Sequence, residues 1–488
     1  MTPMTPRALV VVGALAVATA AQTVSVPAEF HGVRAHVQKL VKRGASPAIA
    51  IGVLKAGKLV WAEGFGYADL EGPQRATADT VFRLASISKP ITATALMLLA
   101  DRGQVRLDGP ANAWLPKTPL VARVGSASAM TLRRLADHTS GLPEHWCFFY
   151  DDVTPLTVPQ AVSRYGFAAW QPGSRYGYSN LAYGVLGHVV ERASKLPYGR
   201  FIETAVCDPI GMRRTGEGVR KGLERYAAAP YTRDVAGRFV RVPPYGFDHQ
   251  GASALHSTVN DLMRFVRMHL GDGAIGDSRV LSPESAVAMR TLSSESSAGR
   301  GTGIGWTIAK SFDQDTFGHG GFMPGVSTQL TVFPKERHAL VVLLNSDRKV
   351  VTEDVGQRIG RALFPNWKPR GMPPTVGSGR SKPDRALIGS WTGVLHHPDR
   401  PIEMTLQIEE SGASMTFGSS TRVLEHVRLT ASGFRGRAST RLATVPGFHG
   451  VPMLDLNLER VGRVLQGTAH ARANGYFALP HWVRLERK

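Results

Sequence analysis

Apolar and polar positions along the chain change their period several times, and each change predicts a different element. Residues 30–40 place apolar side chains at helical spacing. Residues 48–53 and 59–64 are apolar runs around Lys55-Ala56-Gly57-Lys58, which predicts a β-hairpin. Over residues 86–102, Ile87, Ile91, Ala95, Leu98 and Leu99 recur at helical spacing. Pro90 falls in the first turn of that helix, where its missing N–H costs nothing, and Gly103 marks its end. Residues 105–300 read as helical patches broken by Gly and Pro, clearest at 181–194 and 258–270. Strand-like runs at 329–333 and 339–345 flank the turn Pro334-Lys335-Glu336-Arg337-His338, and a helical pattern follows over 352–363.

Strands early, helices in the middle, then strands and a helix predict an α+β domain over residues 28–365. Its central antiparallel sheet is closed by both ends of that segment, flanked by helices, and interrupted by an inserted all-α region. Residues 366–384 are rich in Pro, Gly, Ser and basic side chains and read as a linker. From 385 to 488 the pattern alternates, as in Ile402-Glu-Met-Thr-Leu-Gln-Ile408 and Met453-Leu-Asp-Leu-Asn-Leu458, with Gly-containing turns between. That predicts a small C-terminal antiparallel β-barrel, with Trp391, Phe417 and Trp482 in its core. His396-His397 beside Pro398 reads as a solvated turn.

Composition narrows the function. The chain has 488 residues, 43% apolar and 20% charged, which excludes wholesale disorder and fibrous repeats. No apolar run reaches the roughly 18 residues of a spanning helix. The net charge is +20, carried by 44 Arg and 14 Lys. These are scattered rather than gathered on one helix or face, so no specific nucleic-acid partner is expected, only weak association with an anionic cell-envelope surface. Residues 1–20 hold Arg7, an apolar stretch from Ala8 and the small-x-small triplet Ala18-Thr19-Ala20, without an acidic residue. This is the pattern of a cleaved signal peptide and predicts export to the periplasm or medium. A disulfide between Cys147 and Cys207 would be redox-permitted there, and two free buried thiols fit the sequence equally.

The chemistry concentrates in three short motifs. Ser86-Ile87-Ser88-Lys89 opens a predicted helix, where residues three apart share a face. A lysine whose pKa is lowered by burial can take the proton of the Ser86 hydroxyl, and a helix N-terminus offers free N–H groups to an oxyanion. Tyr178-Ser179-Asn180 precedes a second helix: the phenol can exchange a proton with a lysine, and Asn180 can hold a substrate carbonyl. His319-Gly320-Gly321 lies before a strand, where two glycines let a substrate backbone approach the sheet edge. No Gly-x-Ser-x-Gly elbow, no His-Glu-x-x-His metal motif and no phosphate-binding glycine loop is present. No metal and no cofactor is therefore expected.

Together, the motifs resemble those of the serine β-lactamase and penicillin-binding-protein superfamily, in its class C-like branch. Further matches span residues 35–365: Leu135-Ala-Asp-His-Thr-Ser-Gly-Leu-Pro143, Tyr176-Gly-Tyr-Ser-Asn180 with Tyr183 and Gly187, Pro209-Ile-Gly-Met212, Ser257-Thr258 with Asp261-Leu262, Gly303-Ile-Gly-Trp306, and Pro324-Gly325. The resemblance implies an acyl-enzyme on Ser86, with Lys89 and Tyr178 dividing the base and acid roles. It implies substrate binding by Asn180, His319, Gly320, Gly321 and Phe322, and an oxyanion hole of the Ser86 and Phe322 N–H groups. Many members carry lysine where this chain has His319, which is mostly neutral at pH 7 and attracts a β-lactam carboxylate less. The expected activity is hydrolysis of esters or amides, D-amino-acid peptides among them. A true β-lactamase and a non-catalytic sensor of penicillin or peptidoglycan fragments are the alternatives.

Overall fold

A computed structural model describes residues 26–151, 153–297, 299–368, 384–440, 442, 448 and 450–488. The expected signal segment, 1–20, and most of the expected linker lie outside them. Helix α1 (His31–Lys42) leads into the hairpin β1 (Ala48–Lys55) and β2 (Lys58–Gly66). The helices α2 (Ser88–Asp101), α3 (Asn180–Ser194), α4 (Gln250–Ser253) and α5 (Val259–Leu270) follow, with a strand, β3 (Trp146–Tyr150), between α2 and α3. Strands β4 (Ser294–Ser297), β5 (Arg300–Thr302), β6 (Thr307–Ser311), β7 (Gln314–Met323), β8 (Val326–Phe333) and β9 (His338–Leu344) then precede α6 (Lys349–Leu363).

The first sheet has eight strands in the order β4-β5-β6-β7-β8-β9-β1-β2. The N-terminal hairpin thus closes on the last strand of the segment, as the order of patterns predicts. Strand β1 is buried on both faces, which explains its unbroken apolar run. Ile49, Ile51 and Val53 pack with Val33 and Val37 of α1 and Val355 and Ile359 of α6. On the opposite face α5 lies so close that a Cβ on Gly52 would sit 2.5 Å from Val259. Helix α2 runs through the interior with every residue from Ser88 to Leu99 buried, so its apolar positions surround it rather than forming one stripe.

The second sheet has β10 (Gly389–His396), β11 (Pro401–Ile408), β12 (Ala413–Phe417), β13 (Ser420–Val423), β14 (Glu425–Leu429), β15 (Gly433–Ser439), β16 (Met453–Val461), β17 (Val464–Ala473) and β18 (Phe477–Arg487). Its order, β13-β12-β11-β10-β18-β17-β16-β15-β14, makes a nearly closed, barrel-like antiparallel sheet around Trp391, Leu406, Leu456 and Leu485. Residues 105–300 contribute more than helices: β3 pairs with the end of β18 through Cys147 and Phe477, and with a short strand, Tyr245–Phe247, on its other side. Of the three aromatics expected in the barrel core, Trp391 is buried there and Phe417 is partly buried against it, whereas Trp482 faces the other way and packs edge-on against Phe167 in a separate apolar cluster with Ala169. Cys147 and Cys207 are both free and buried. His397 is not solvated as its neighbours in sequence predict; it stacks on the buried His481 with ring centroids 5.2 Å apart.

Candidate active site

Ser86 sits in a single 3-10 turn, Ala85–Ile87, immediately ahead of α2. Ala85 is held at φ +49°, a left-handed conformation costly for a residue with a Cβ. The turn is pressed onto β7 and β8. Thr328 donates its hydroxyl to the Leu84 carbonyl at 2.9 Å. Gly321 has no Cβ because one would lie 2.4 Å from that same carbonyl oxygen and 2.3 Å from Thr328 Oγ1. Pairing of β7 with β6 ends at Gly318, so residues 319–323 present an open strand edge beside Ser86.

One helical turn along, Lys89 is completely buried. Its Nζ lies 3.0 Å from Ser86 Oγ, 2.7 Å from Asn180 Oδ1 and 3.3 Å from the Ala252 carbonyl of α4. All three partners are neutral. Burial without a counter-ion holds the amine well below the ordinary lysine range. Tyr178 donates its hydroxyl to Ser86 Oγ at 3.0 Å from the opposite side. Burial pushes that phenol well above its ordinary value, so it keeps its proton. The Lys89 amine also lies 4.8 Å from the centre of the Tyr178 ring. Asn180 is the first residue of α3, with Ser179 as its N-cap, and its Nδ2 donates to the His145 carbonyl at 2.9 Å. Ser86, Lys89, Tyr178 and Asn180 therefore meet at one point.

His319 stands across the opening, its ring centroid 6.4 Å from that of Tyr178, with Nδ1 donating to the Gly320 carbonyl at 2.6 Å. Desolvation, then the nearby Lys89 amine, push it down to about 3, so it is neutral at physiological pH. Gly320 is exposed, and the Phe322 side chain projects outward with 58% of its surface accessible.

Three supporting groups stand outside the site residues expected from the sequence. The Ala252 carbonyl is a backbone atom. His138, within the 135–143 segment, lies under Tyr178 with ring centroids 4.5 Å apart, and its Nδ1 accepts from the Ser179 N–H at 3.2 Å. Behind the site, Asp248 accepts from His145 Nε2 at 2.9 Å and from His249 Nδ1 at 2.9 Å, all three groups fully buried. These two imidazoles hold the Asp248 carboxyl far below its ordinary range against a large burial penalty. The three are close enough to contribute one ligand atom each to a metal ion, since those atoms lie within 4.8 Å of one another. As hydrogen bonds they already form a cluster that anchors both the His145 carbonyl and the start of α4, and so both polar neighbours of Lys89 beyond Ser86.

The Beta-lactamase family profile matches residues 33–362. The chain belongs to that family. Protein Rv1367c of Mycobacterium tuberculosis is 33% identical over 293 residues, 53% of this chain and 71% of that protein. Penicillin-binding protein 4* of Bacillus subtilis is 27% identical, covering 60% of this chain and 67% of its own length. Esterase EstB of Burkholderia gladioli is 36% identical over 209 residues, 40% of this chain and 52% of EstB. Among solved structures, SurE aligns with a TM-score of 0.66 at 22% identity over 93% of this chain and 99% of that one. The octameric penicillin-binding protein homologue of Pyrococcus abyssi aligns at 0.60 with 21% identity, covering 92% and 99%. Both alignments extend through the C-terminal sheet and show a shared fold.

Proposed function

We propose that this protein is a serine hydrolase of esters or amides, D-amino-acid peptides among them, acting through an acyl-enzyme on Ser86. The observation that carries the reading is the buried, uncompensated amine of Lys89 at hydrogen-bond distance from a hydroxyl that Tyr178 also engages. A neutral Lys89 takes the Ser86 proton while Oγ bonds to the substrate carbonyl carbon. The N–H groups of Ser86 and Phe322 receive the oxyanion at the open edge of β7. The C–O or C–N bond then breaks, and Tyr178 gives its proton to the departing oxygen or nitrogen and is reprotonated from Lys89. Water adds to the acyl carbon, the bond to Oγ breaks, and Ser86 recovers its proton. A neutral His319 supports esters and amides over β-lactams, whose carboxylate it attracts weakly. EstB, named an esterase, is consistent with that choice. The substrate is a small molecule or short peptide, and residues 1–20 support export as the setting.

The test is a panel of p-nitrophenyl esters, D-amino-acid anilides and a chromogenic cephalosporin. Ser86→Ala should lower kcat/KM at least about a thousandfold on any good substrate. Faster turnover of the cephalosporin than of the esters and anilides would reverse the substrate order. An acyl adduct persisting for hours by mass spectrometry would replace hydrolysis with a sensor.

A further inference from the structure

Beside Tyr178 the site opens into a cavity of about 780 Å³ between the loops that carry Pro143-Glu144, Trp170 and Gly177-Tyr178 and the C-terminal sheet, ample for a small organic ligand. The alternation of that sheet decides what lines it. Across the register, Arg435 faces Asn457 and Arg437 faces Asp455 on β15 and β16, while Asp455 faces His470 on β16 and β17. The intervening Phe434, Leu454, Leu456 and Ala471 go to the barrel core. One polar face of the barrel thus becomes a wall of the catalytic cleft.

Its charges are unevenly satisfied. Asp455 is shared by Arg437 and by Arg472, and Arg472 also holds Glu144 at 2.6 Å. Arg435 is exposed; its side chain donates to the neutral amide oxygen of Asn457 at 3.3 Å, forms no ion pair among the described residues, and has Arg428, a like charge, opposite it on β14. His470 is 9% exposed, and its Nε2 has no hydrogen-bond partner among the described residues. Of the charged side chains lining the cavity, three guanidiniums therefore stand with two carboxylates; Glu425, on β14 outside the lining, faces Arg437 and not Arg435, so Arg435 is the guanidinium left without a carboxylate. Tyr178 lines this space, whereas Ser86, Lys89 and His319 do not. The proton donor of the leaving group is thus the catalytic side chain on this side.

We propose that the cavity is a leaving-group subsite selective for substrates whose departing portion carries a carboxylate, with Arg435 of the C-terminal sheet as the specificity-determining residue. The inference rests on the hydrolase reading above. A guanidinium meets a carboxylate with two parallel N–H bonds, a geometry that a neutral ester of the same group does not reproduce.

The probes are 3-acetoxybenzoate and its methyl ester, whose leaving phenols carry a free carboxylate and a neutral methyl ester respectively; the Arg435 variants separate the effect of charge from that of the added methyl. In the full-length protein kcat/KM should favour the carboxylate about tenfold, mainly through KM, and added salt should shrink the preference. Arg435→Ala should bring the ratio near one, Arg435→Lys should restore part of it, and Arg422→Ala, on β13 outside the cavity, should leave it unchanged. If both esters are cleaved, Ser86→Ala abolishes cleavage, and Arg435→Ala leaves the ratio as it was, the subsite is refuted and the hydrolase stands. If neither these two esters nor any member of the panel above is cleaved, or Ser86→Ala retains full turnover, the hydrolase reading fails. Calorimetry then decides the subsite separately: 3-hydroxybenzoate should bind more tightly than its methyl ester in an Arg435-dependent way, and equal binding overturns the proposal.

Discussion

A lysine buried among neutral partners is the smallest unit that makes Ser86 reactive. Desolvation penalises the ammonium and nothing nearby repays it, so Lys89 loses its proton at a pH well below 10.5. The sign follows: Lys89 is a base only when unprotonated, so kcat/KM should climb as pH rises through its depressed pKa and then level off. The Tyr178 phenol, displaced the other way, stays protonated across that plateau. Lys89→Arg should abolish the rise together with the activity, because a guanidinium does not give up its proton. A pH–rate profile on a good ester would measure this, and an ascending limb centred at pH 10 or above would rule the scheme out. At this scale the candidates were legible, because Ser86, Lys89, Tyr178 and Asn180 carry distinctive side chains at short spacings. His145, Asp248 and His249 were not, since their pairing spans about a hundred residues and leaves no local pattern.

Elements set the distances among those side chains. The Ser86 turn is fixed by contact with β7 and β8, and Gly321 is where backbone meets backbone. Gly321→Ala should displace the turn and lower kcat by about a hundredfold, the usual order for a misplacement of about 1 Å, with a lower melting temperature. Gly320→Ala provides the comparison: its nearest neighbour would be 3.7 Å away, so the melting temperature should not change. Equal effects of the two substitutions would show that the close approach is unimportant. The pattern of the chain predicted α2 and β8 near their observed bounds. It missed β3, whose Trp146-Cys147-Phe148-Phe149-Tyr150 run has no alternation and becomes a strand by pairing with Phe477 and with Tyr245–Phe247, each far away in sequence.

Across the whole molecule, buried neutral histidines couple stability to acid. His269 lies among Phe265, Trp306 and Phe317 and is pushed down to about 3 by burial and then by Arg290. His481, in the C-terminal sheet, is also pushed down to about 3, by burial and then by His397 and His470. An unfolded histidine binds a proton near pH 6.5 while these folded ones do not, so the unfolded state gains protons first and stability falls as pH drops from about 6.5 towards 3. Each should cost about 2 kcal/mol by pH 5. Thermal melts from pH 7.5 to 4.5 should therefore show a steep fall, and a flat melting temperature between pH 7 and 5 would count against both assignments.

Local periodicity in the sequence was enough for the α+β class and the barrel-like C-terminal sheet, and residue identity at short spacings for the three motifs that resemble the family's, because each depends on residues within one element or its nearest turn. Tertiary structure alone decided that Lys89 has only neutral neighbours, that an Asp–His cluster stands behind it, and that arginines more than 250 positions after Tyr178 wall the same cleft. Burial and field at a site are sums over everything packed around it, and a linear spacing does not carry that sum.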